Sequence, residues 1–321
     1  MNRSIRILAA AAALLALPLL PGAAFAEAPM IKTQAPGYHR AMLGDFEVTA
    51  LFDGAGKLPL LKLLINAPPE QLAAGLKRGF LPELVETSIN AYLVNTGSKL
   101  VLIDTGAGGM FGFPPALLDN LRAAGYRPEQ VDEVYITHAH PDHLGGLMAG
   151  GAMAFRNATV RIAKADTDVF LNEEAMNHAP AEGRMTFKVA MASLNPYLAA
   201  GRLKTFEGET EMTPGVHAVP APGHSPGHTM YRIDSKGETL LLWGDLVHAA
   251  AVQLDNPGIG MTFDADGKHS VEQRRKILVE VEKKGWLVGG SHISFPGLGH
   301  LRAAPGGKGY AWVPLNYSTL K

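Results

Sequence analysis

The feature that most constrains this sequence is the segment His138-Ala139-His140-Pro141-Asp142-His143, which places three histidines and one aspartate within six residues. Residues 131–136 precede it, end in Val-Tyr-Ile, and are predicted to form a strand that runs directly into the segment. Side chains two residues apart on an extended chain point to the same side, so His138 and His140 can face one point where the strand ends.

The second half of the segment adds two further ligand groups in a turn. Asp142 and His143 follow Pro141, and Gly145-Gly146 allow the chain to pass close by. Two adjacent pairs of nitrogen and oxygen ligands suit two metal ions a short distance apart. The alternative, that the histidines are surface or capping groups, is disfavoured by their concentration directly after a strand.

Four ligands are too few for two metal ions, so further ligands are expected downstream. Three candidates stand out because each follows a short apolar run: His224, Asp245 and His292. Glycine precedes His224 and Asp245, which permits close approach of the backbone to a metal. A carboxylate such as that of Asp245 bridges two cations more readily than an imidazole does.

Composition narrows the chemistry further. The chain has 321 residues and no cysteine, which excludes disulfides, zinc ribbons and a cysteine nucleophile, so nitrogen and oxygen must hold any metal. Hydrophobic residues make up 47% and charged residues 18%, which predicts a folded chain with a sizeable core. The formal net charge of −1 and the lack of a Lys/Arg run argue against nucleic acid as a partner.

The N-terminal residues 1–26 are predicted to be a signal peptide. Arg3 and Arg6 precede an apolar run, and Ala24-Phe25-Ala26 resembles a cleavage site. The alternative, a membrane anchor, is disfavoured because the apolar run is short for a span, so no stable membrane insertion is expected after cleavage. We therefore expect a periplasmic or secreted protein with a single domain over residues 27–321.

Strand and helix patterns alternate through both halves of that domain. Residues 90–94 and 100–103 are predicted to form strands joined by a turn at 95–98. A helix is predicted to end at Lys284 before Gly285, with Ser270 and Gln273 as its capping box. This mixture favours an α/β domain of two packed sheets with helices outside.

The residues already described carry a family resemblance. The segment Thr137 to His143, followed in order by His224, Asp245 and His292, resembles the signature of the metallo-β-lactamase superfamily. Longer stretches are most similar to the methyl parathion hydrolase group, which includes related lactonases and arylesterases. Those stretches are residues 35–38, 43–47, 92–102 and 291–297.

The resemblance implies a four-layer αββα sandwich with two divalent metal ions, zinc by default. One metal would be bound by His138, His140 and His224, and the other by Asp142, His143 and His292. Asp245 would bridge them, with a water or hydroxide as the second bridge and nucleophile, so Asp142 and Asp245 are the residues assigned to catalysis. Asp104 would orient a metal-binding histidine, with a turn-capping aspartate as the alternative, and the protein would be a homodimer.

The resemblance leaves the surroundings of the metals less defined. His228 is predicted to be a structural histidine behind the metal loop. The substrate pocket is expected to include residues from two loops, namely Met110, Phe111 and Phe113 before the motif and His248, Leu254 and Ile259 after Asp245, together with Phe170 and Phe187. His248 departs from the methyl parathion hydrolases, which carry an aliphatic residue there, and this favours a flat lactone or ester over a bulky phosphotriester.

The predicted function is hydrolysis of lactones or aryl esters, with organophosphate triester hydrolysis as a main or side activity. A β-lactamase is disfavoured because those relatives usually lack the bridging aspartate. A glyoxalase-type thioesterase is disfavoured because the C-terminal residues 306–321 are aromatic rather than basic. A secreted metal-binding scaffold without activity is the remaining alternative, although such proteins typically lose ligands.

Overall fold

The computed structural model of the chain describes residues 28–306 and 308–320. The predicted signal peptide, residues 1–26, lies outside the described residues. Residues 28–35 have no regular secondary structure and belong to a separate unit from the one that begins at Pro36. No helix among the described residues combines the length and the apolar character that a membrane crossing requires.

The unit that begins at Pro36 is built from alternating strands and helices. Its strands are β1 (Tyr38–Leu43), β2 (Phe46–Leu58), β3 (Leu64–Ile65), β4 (Val85–Asn95), β5 (Leu100–Ile103), β6 (Glu133–Tyr135), β7 (Met148–Ala149), β8 (Ala152–Met153), β9 (Thr159–Ala163), β10 (Leu203–Phe206), β11 (Thr210–Thr213), β12 (Val216–Pro220), β13 (Thr229–Ser235), β14 (Glu238–Leu242), β15 (Gly260–Met261), β16 (Leu287–Gly289), β17 (Leu298–Ala303) and β18 (Tyr310–Pro314). Its α-helices are α1 (Leu60–Leu63), α2 (Pro69–Arg78), α3 (Leu117–Ala123), α4 (Pro141–Leu144), α5 (Lys164–Phe170), α6 (Glu173–His178), α7 (Arg184–Ala199), α8 (Ala250–Gln253) and α9 (Gly267–Lys284).

Two seven-stranded sheets pack against each other. The first has the order β1-β2-β4-β5-β6-β9-β10 and the second β11-β12-β13-β14-β16-β17-β18. An apolar cluster between them takes side chains from both sheets, and the Tyr135 ring of the first stacks on the Tyr231 ring of the second at 5.5 Å. Burial of these faces supplies the hydrophobic stabilisation that joins the sheets.

Helices cover the outer face of each sheet. Leu102 and Val160 of the first sheet pack in one cluster with Leu121 of α3 and Leu194 of α7. Leu241 and Val288 of the second sheet pack with side chains of α9, namely Ile277, Leu278 and Val281. The resulting helix-sheet-sheet-helix layers confirm the predicted α/β fold of the four-layer αββα type.

Local patterns predicted several elements correctly, and one cap wrongly. The predicted hairpin is present, since β4 and β5 pair antiparallel across residues 95–100. The final long helix ends at Lys284, and Gly285 follows with the left-handed φ of 63° that favours glycine. The helix begins before Ser270, however, because the Asp266 side chain accepts the His269 N–H as N-cap and leaves Ser270 buried inside the helix.

The strand order brings the candidate metal ligands to one edge of the two sheets. In the first sheet β5 and β6 are parallel, so Asp104 and the segment that begins at Thr137 emerge side by side. In the second sheet β14 is parallel to β16, so Asp245 and His292 also emerge side by side. The β12 strand, which precedes His224, runs in the same direction as β14 because both pair antiparallel with β13.

Candidate metal centre

The loops that follow four strands hold the candidate ligands. His138 lies in the loop after β6, and His140 is the N-cap of the one-turn helix α4, which Pro141 begins. The His140 side chain makes no capping bond, so its ring is free to face the neighbouring loops. Proline at the first helical position presets the backbone for this turn.

The first group of ligand atoms consists of His138, His140, His224 and Asp245, one atom of each lying within 4.8 Å of the others. His224 Nε2 is 3.0 Å from His140 Nδ1 and 3.1 Å from Asp245 Oδ2. His138 Nε2 is 3.6 Å from the same carboxylate oxygen. Three imidazole nitrogens and one carboxylate oxygen around one point form a four-ligand set that zinc accepts.

The second group consists of Asp142, His143 and His292. The Asp142 Oδ2 atom is 3.7 Å from His143 Nε2 and 3.4 Å from His292 Nε2. Asp245 Oδ1 is 3.1 Å from His143 Nε2 and 3.2 Å from His292 Nε2. Asp245 Oδ1 therefore faces this group, while Oδ2 faces the first and also lies 3.3 Å from His292 Nε2. A carboxylate placed between the two groups in this way could be shared by two cations.

Unpaired buried atoms indicate that this cluster is built for cations. His138 Nε2, His143 Nε2 and Asp245 Oδ1 are buried and have no hydrogen-bond partner. A buried polar atom without a partner costs roughly 1–3 kcal/mol, so such atoms need a ligand. Because all seven residues offer nitrogen or oxygen, they fit two divalent metal ions of the zinc type.

Asp104 contacts His143 of the second group on the side away from the other ligands. Its Oδ2 lies 2.8 Å from His143 Nδ1, and its Oδ1 accepts the Thr137 N–H at 2.8 Å. This contact places the His143 proton on Nδ1 and leaves Nε2 to face the ligand group. Asp104 has a left-handed φ of 61°, which aspartate tolerates better than most residues.

His228 was predicted to be a structural histidine near the ligand His224, and it makes two hydrogen bonds of that kind. Its Nδ1 donates to the Ala221 carbonyl at 3.0 Å, and its Nε2 accepts the Asp245 N–H at 3.0 Å. Burial lowers the pKa of His228 to about 3, so the ring is neutral and can accept that bond. His228 thus holds the backbone of the shared carboxylate.

The charges of the cluster favour an ionised Asp245 and a protonated His224. Burial opposes ionisation of Asp245, but the positive charges of His143 and His292 hold its pKa well below the usual value. Burial likewise opposes protonation of His224, but Asp245 and Asp264 raise its pKa to about 9. Protons held on imidazoles by carboxylates are the ones that metal binding displaces.

Three supporting contacts were not predicted from the sequence. His292 Nδ1 donates to the Ser88 carbonyl at 2.9 Å, and Asp264 Oδ1 is 2.9 Å from His224 Nδ1. The fully buried Asp166 accepts hydrogen bonds from the Ala139 N–H and the Gly227 N–H, and so joins two ligand loops. No sequence pattern marks these residues, because each partner lies far away along the chain.

A cavity of about 740 Å³ opens onto the ligand cluster. Ligand residues form part of its lining, including Asp142, His140 and Asp245. Its walls are largely apolar and include Leu58, Ile89, Phe111, Phe170, Met185, Phe187 and Phe263. A mostly apolar cavity with a few converging polar groups is typical of a small-molecule site.

The predicted pocket residues are only partly in this cavity. Phe111, His248, Phe170 and Phe187 line it, and Thr262 and Phe263 line it without having been predicted. Leu254 and Ile259 are instead buried in two apolar clusters, so their prediction as pocket residues is wrong. Their side chains turn inwards because the Gln253 amide and the Arg274 guanidinium bind the Ile259 carbonyl, which fixes this loop against α9.

Met110 and Phe113 do not line the cavity either. Asp53 accepts the Ala107 N–H at 2.8 Å and the Leu117 N–H at 3.1 Å, and so sets the path of the loop between them. On that path Phe113 lies directly over Gly54, where a Cβ would be 2.1 Å from the ring. Of the three residues predicted in this loop, Phe111 alone faces the cavity.

Comparison with known proteins shows the family. The profile of the Metallo-beta-lactamase superfamily matches residues 84–292, a span that runs from β4 to the last candidate ligand. The chain belongs to the metallo-beta-lactamase superfamily. It is therefore a metal-dependent hydrolase, and its cluster of histidines and aspartates occupies the part of the chain that defines the superfamily.

Individual members of the superfamily are similar over most of this chain. An N-acyl homoserine lactonase from Bacillus sp is 27% identical over 222 residues, which cover 63% of this chain and 80% of the relative. The crystal structure of hydrolase AbOPH is 36% identical with a TM-score of 0.84, covering 89% of this chain and 100% of that one. The structure of AidC, a dizinc quorum-quenching lactonase in complex with its product N-hexnoyl-L-homoserine, is 26% identical with a TM-score of 0.79, covering 88% and 99%.

Proposed function

We propose that this protein is a lactonase that uses two zinc ions to open the ring of small lactones. The observation that carries the proposal is the Asp245 carboxylate, which lies between the two ligand groups in the lining of a largely apolar cavity. The similarity to N-acyl homoserine lactonases supports lactones as the substrate class, and the dizinc centre of AidC supports zinc.

Each of the two ligand groups would hold one zinc ion, and Asp245 would belong to both groups. Zinc ions held there would polarise the substrate carbonyl and lower the pKa of a water molecule at the centre. Asp245 contributes a permanent negative charge, because its histidine neighbours keep its pKa low. Asp142 is the ligand carboxylate that is partly open to the cavity, with 20% of its side chain exposed. Its oxygens can accept the proton that the attacking water gives up and return it to the departing ring oxygen.

His248 shapes the substrate end of the centre. Its Nε2 donates to Asp245 Oδ2 at 3.0 Å, and its ring lies parallel to that of His292 at 5.1 Å. Burial lowers the pKa of His248 to about 4, so it is a neutral, flat wall beside the cluster. Such a wall suits the planar ester group of a lactone better than the tetrahedral centre of a phosphotriester.

The apolar walls define the rest of the substrate. Phe111, Phe170 and Phe187 offer a surface for an acyl chain or an aryl ring attached to the lactone. An N-acyl homoserine lactone and an aryl lactone such as dihydrocoumarin both have this form. Arylester and aryl phosphotriester hydrolysis are proposed as side activities, in keeping with the sequence stretches that resemble the methyl parathion hydrolase group.

Location and assembly remain predictions from the sequence. Secretion to the periplasm or the medium is proposed from residues 1–26, with residues 27–321 as the mature domain. A homodimer is proposed from the family resemblance. Lactam and thioester hydrolysis are the alternative activities. The remaining alternative, a scaffold without activity, is addressed by the following assay.

The test compares kcat/KM of the zinc-loaded protein for N-hexanoyl homoserine lactone, dihydrocoumarin and methyl paraoxon. We expect both lactones to exceed the phosphotriester by at least about 100-fold, which corresponds to roughly 2.7 kcal/mol of transition-state binding. A phosphotriester preference would contradict the proposal, as would zinc binding without hydrolysis of any ester.

A variant of the cavity wall makes the comparison sharper. His248→Leu removes the imidazole beside Asp245, and we expect it to lower the lactone-to-phosphotriester ratio by about tenfold, or roughly 1.4 kcal/mol. Exposed His178, whose Nδ1 lies 2.8 Å from the Glu174 carbonyl oxygen, offers the matched control His178→Leu with an unchanged ratio. Equal ratios in wild type and His248→Leu would show that His248 does not select the substrate.

A further inference from the structure

One buried carboxylate outside the predicted ligand set reaches the metal centre. Asp264 lies in the turn between β15 and α9, and its side chain has no exposed surface. Its Oδ1 is 2.9 Å from His224 Nδ1, and its Oδ2 accepts the Met261 N–H at 3.2 Å. Both oxygens are therefore engaged, and the carboxylate has one orientation.

The backbone around Asp264 is joined to the His224 loop independently of this contact. The Ala265 N–H donates to the His224 carbonyl at 3.1 Å, and the Asp266 N–H donates to the Gly223 carbonyl at 2.8 Å. These bonds hold the two segments together even where the Asp264 side chain is changed. A substitution at Asp264 therefore tests the carboxylate rather than the attachment of the segment.

The contact determines which nitrogen of His224 can bind a metal. An imidazole with its proton on Nδ1 offers the lone pair of Nε2, and the reverse tautomer offers none there. Since Asp264 Oδ1 accepts from Nδ1, Nε2 is the nitrogen that offers a lone pair once metal binding displaces its proton. That atom lies 3.0 Å from His140 Nδ1 and 3.1 Å from Asp245 Oδ2, inside the first ligand group.

In the two ligand groups, different residues accept the hydrogen bond from Nδ1 of a ligand histidine. In the second group His292 is held by a neutral backbone carbonyl, that of Ser88, and His143 by Asp104. Asp264 contacts neither of these histidines through its carboxylate; its described hydrogen bonds go to His224 and Met261. A loss at Asp264 should therefore affect one metal site and spare the other.

We propose that Asp264 is a positioning residue that sets the metal affinity of the site formed by His138, His140 and His224. It does so by fixing the tautomer and orientation of His224, without touching the metal or the substrate. The inference rests on the proposed metal centre, and it names a residue that controls one half of it. Carboxylates behind metal-bound histidines typically change metal affinity or activity about 10- to 100-fold when removed.

The experiment measures zinc binding rather than turnover. Metal-free wild type, Asp264→Ala and Asp264→Asn are titrated with zinc against a chromophoric chelator, which resolves two dissociation constants. We expect Asp264→Ala to weaken one zinc about 10- to 100-fold and to leave the other unchanged. Asp264→Asn should weaken the same zinc less, because the amide oxygen can still accept from His224 Nδ1.

The control is Asp266→Asn. Asp266 lies two residues away and caps α9 by accepting the His269 N–H, a role that asparagine also fills, so both zinc affinities should match wild type. Thermal unfolding of the metal-free proteins reports on folding, and Asp264→Asn should unfold close to wild type.

Three results would overturn the inference. Unchanged affinities in Asp264→Ala would show that the carboxylate does not support the site. Equal weakening of both zinc ions together with a lower unfolding temperature of the metal-free protein would show that Asp264 acts through folding. Failure of the wild type to bind two zinc ions would instead overturn the proposed metal centre, and this is measured before any variant.

Discussion

Replacing Asp104 by asparagine should weaken metal binding at the group that contains His143. In the wild type, Asp104 Oδ2 is 2.8 Å from His143 Nδ1 and Oδ1 accepts the Thr137 N–H at 2.8 Å. The Thr137 hydroxyl also donates to Oδ2 at 2.9 Å, so all three groups that face Asp104 are donors. An asparagine has one acceptor and one donor in place of the two carboxylate oxygens, so it cannot accept from both the Thr137 N–H and His143 Nδ1.

Each orientation of the asparagine amide has a cost. If its oxygen accepts from Thr137, its NH₂ faces His143 Nδ1 and drives the imidazole proton to Nε2, which is the atom needed for the metal. If the amide is reversed, its NH₂ opposes the Thr137 N–H instead. Losing one hydrogen bond to a charged group costs roughly 1.5–3 kcal/mol, which corresponds to about a 10- to 150-fold loss in affinity.

The assay is zinc competition with a chelator, together with kcat/KM for the preferred lactone. Asparagine tolerates the left-handed φ of 61° at this position as well as aspartate does, so the backbone is not a confounding factor. Asp119→Asn, an exposed carboxylate paired with Arg122, is the control and should behave as wild type. Wild-type affinity for both zinc ions in Asp104→Asn would refute the tautomer argument.

Three further predictions concern stability. Removing the metals with a chelator should lower the unfolding temperature in calorimetry, since metal at about 100 times its Kd stabilises by roughly 2.7 kcal/mol per site, and failure of added zinc to restore it would contradict a metal centre. Arg274→Met should cost at least about 3 kcal/mol in urea unfolding, because the buried guanidinium donates to the carbonyls of Leu246 and Ile259, whereas exposed Arg275→Met should cost little. Burial raises the pKa of Tyr197 to about 12, so the folded state keeps a proton that the unfolded chain loses above its ordinary pKa of about 10. Stability should therefore fall as pH rises from about 10 to about 12, and Tyr197→Phe should reduce this slope when unfolding is compared at pH values of about 9 and 11.

Elements governed by neighbouring residues were predictable. The hairpin at residues 95–98 and the end of α9 at Gly285 depend on turn and cap chemistry within a few residues. The predicted start of α9 was wrong because two capping candidates lie close together in the sequence. Asp266 caps the helix by accepting the His269 N–H, and Ser270 lies inside the helix. Choosing between them requires the path of the preceding loop.

The pocket residues also include some that the sequence predicted correctly and some that depended on the tertiary structure. Phe111 and His248 line the cavity as predicted, whereas Leu254 and Ile259 are core residues. Apolar residues in loops are equally suited to a core or a cavity wall. The direction of each side chain was decided by buried hydrogen bonds of Gln253 and Arg274, which lie on different helices.

What the sequence by itself determined is the chemistry of the ligand set and the fold that carries it. Imidazoles and carboxylates that follow short strands can be recognised because residue type and local spacing are both read directly from the sequence. Only the tertiary structure decided which side-chain atoms contact one another. It places Asp245 between the two ligand groups, and it joins His224 to Asp264 and His292 to the Ser88 carbonyl. These contacts join residues 21 to 204 positions apart, so they exist only once the folded sheets have brought the strand ends together.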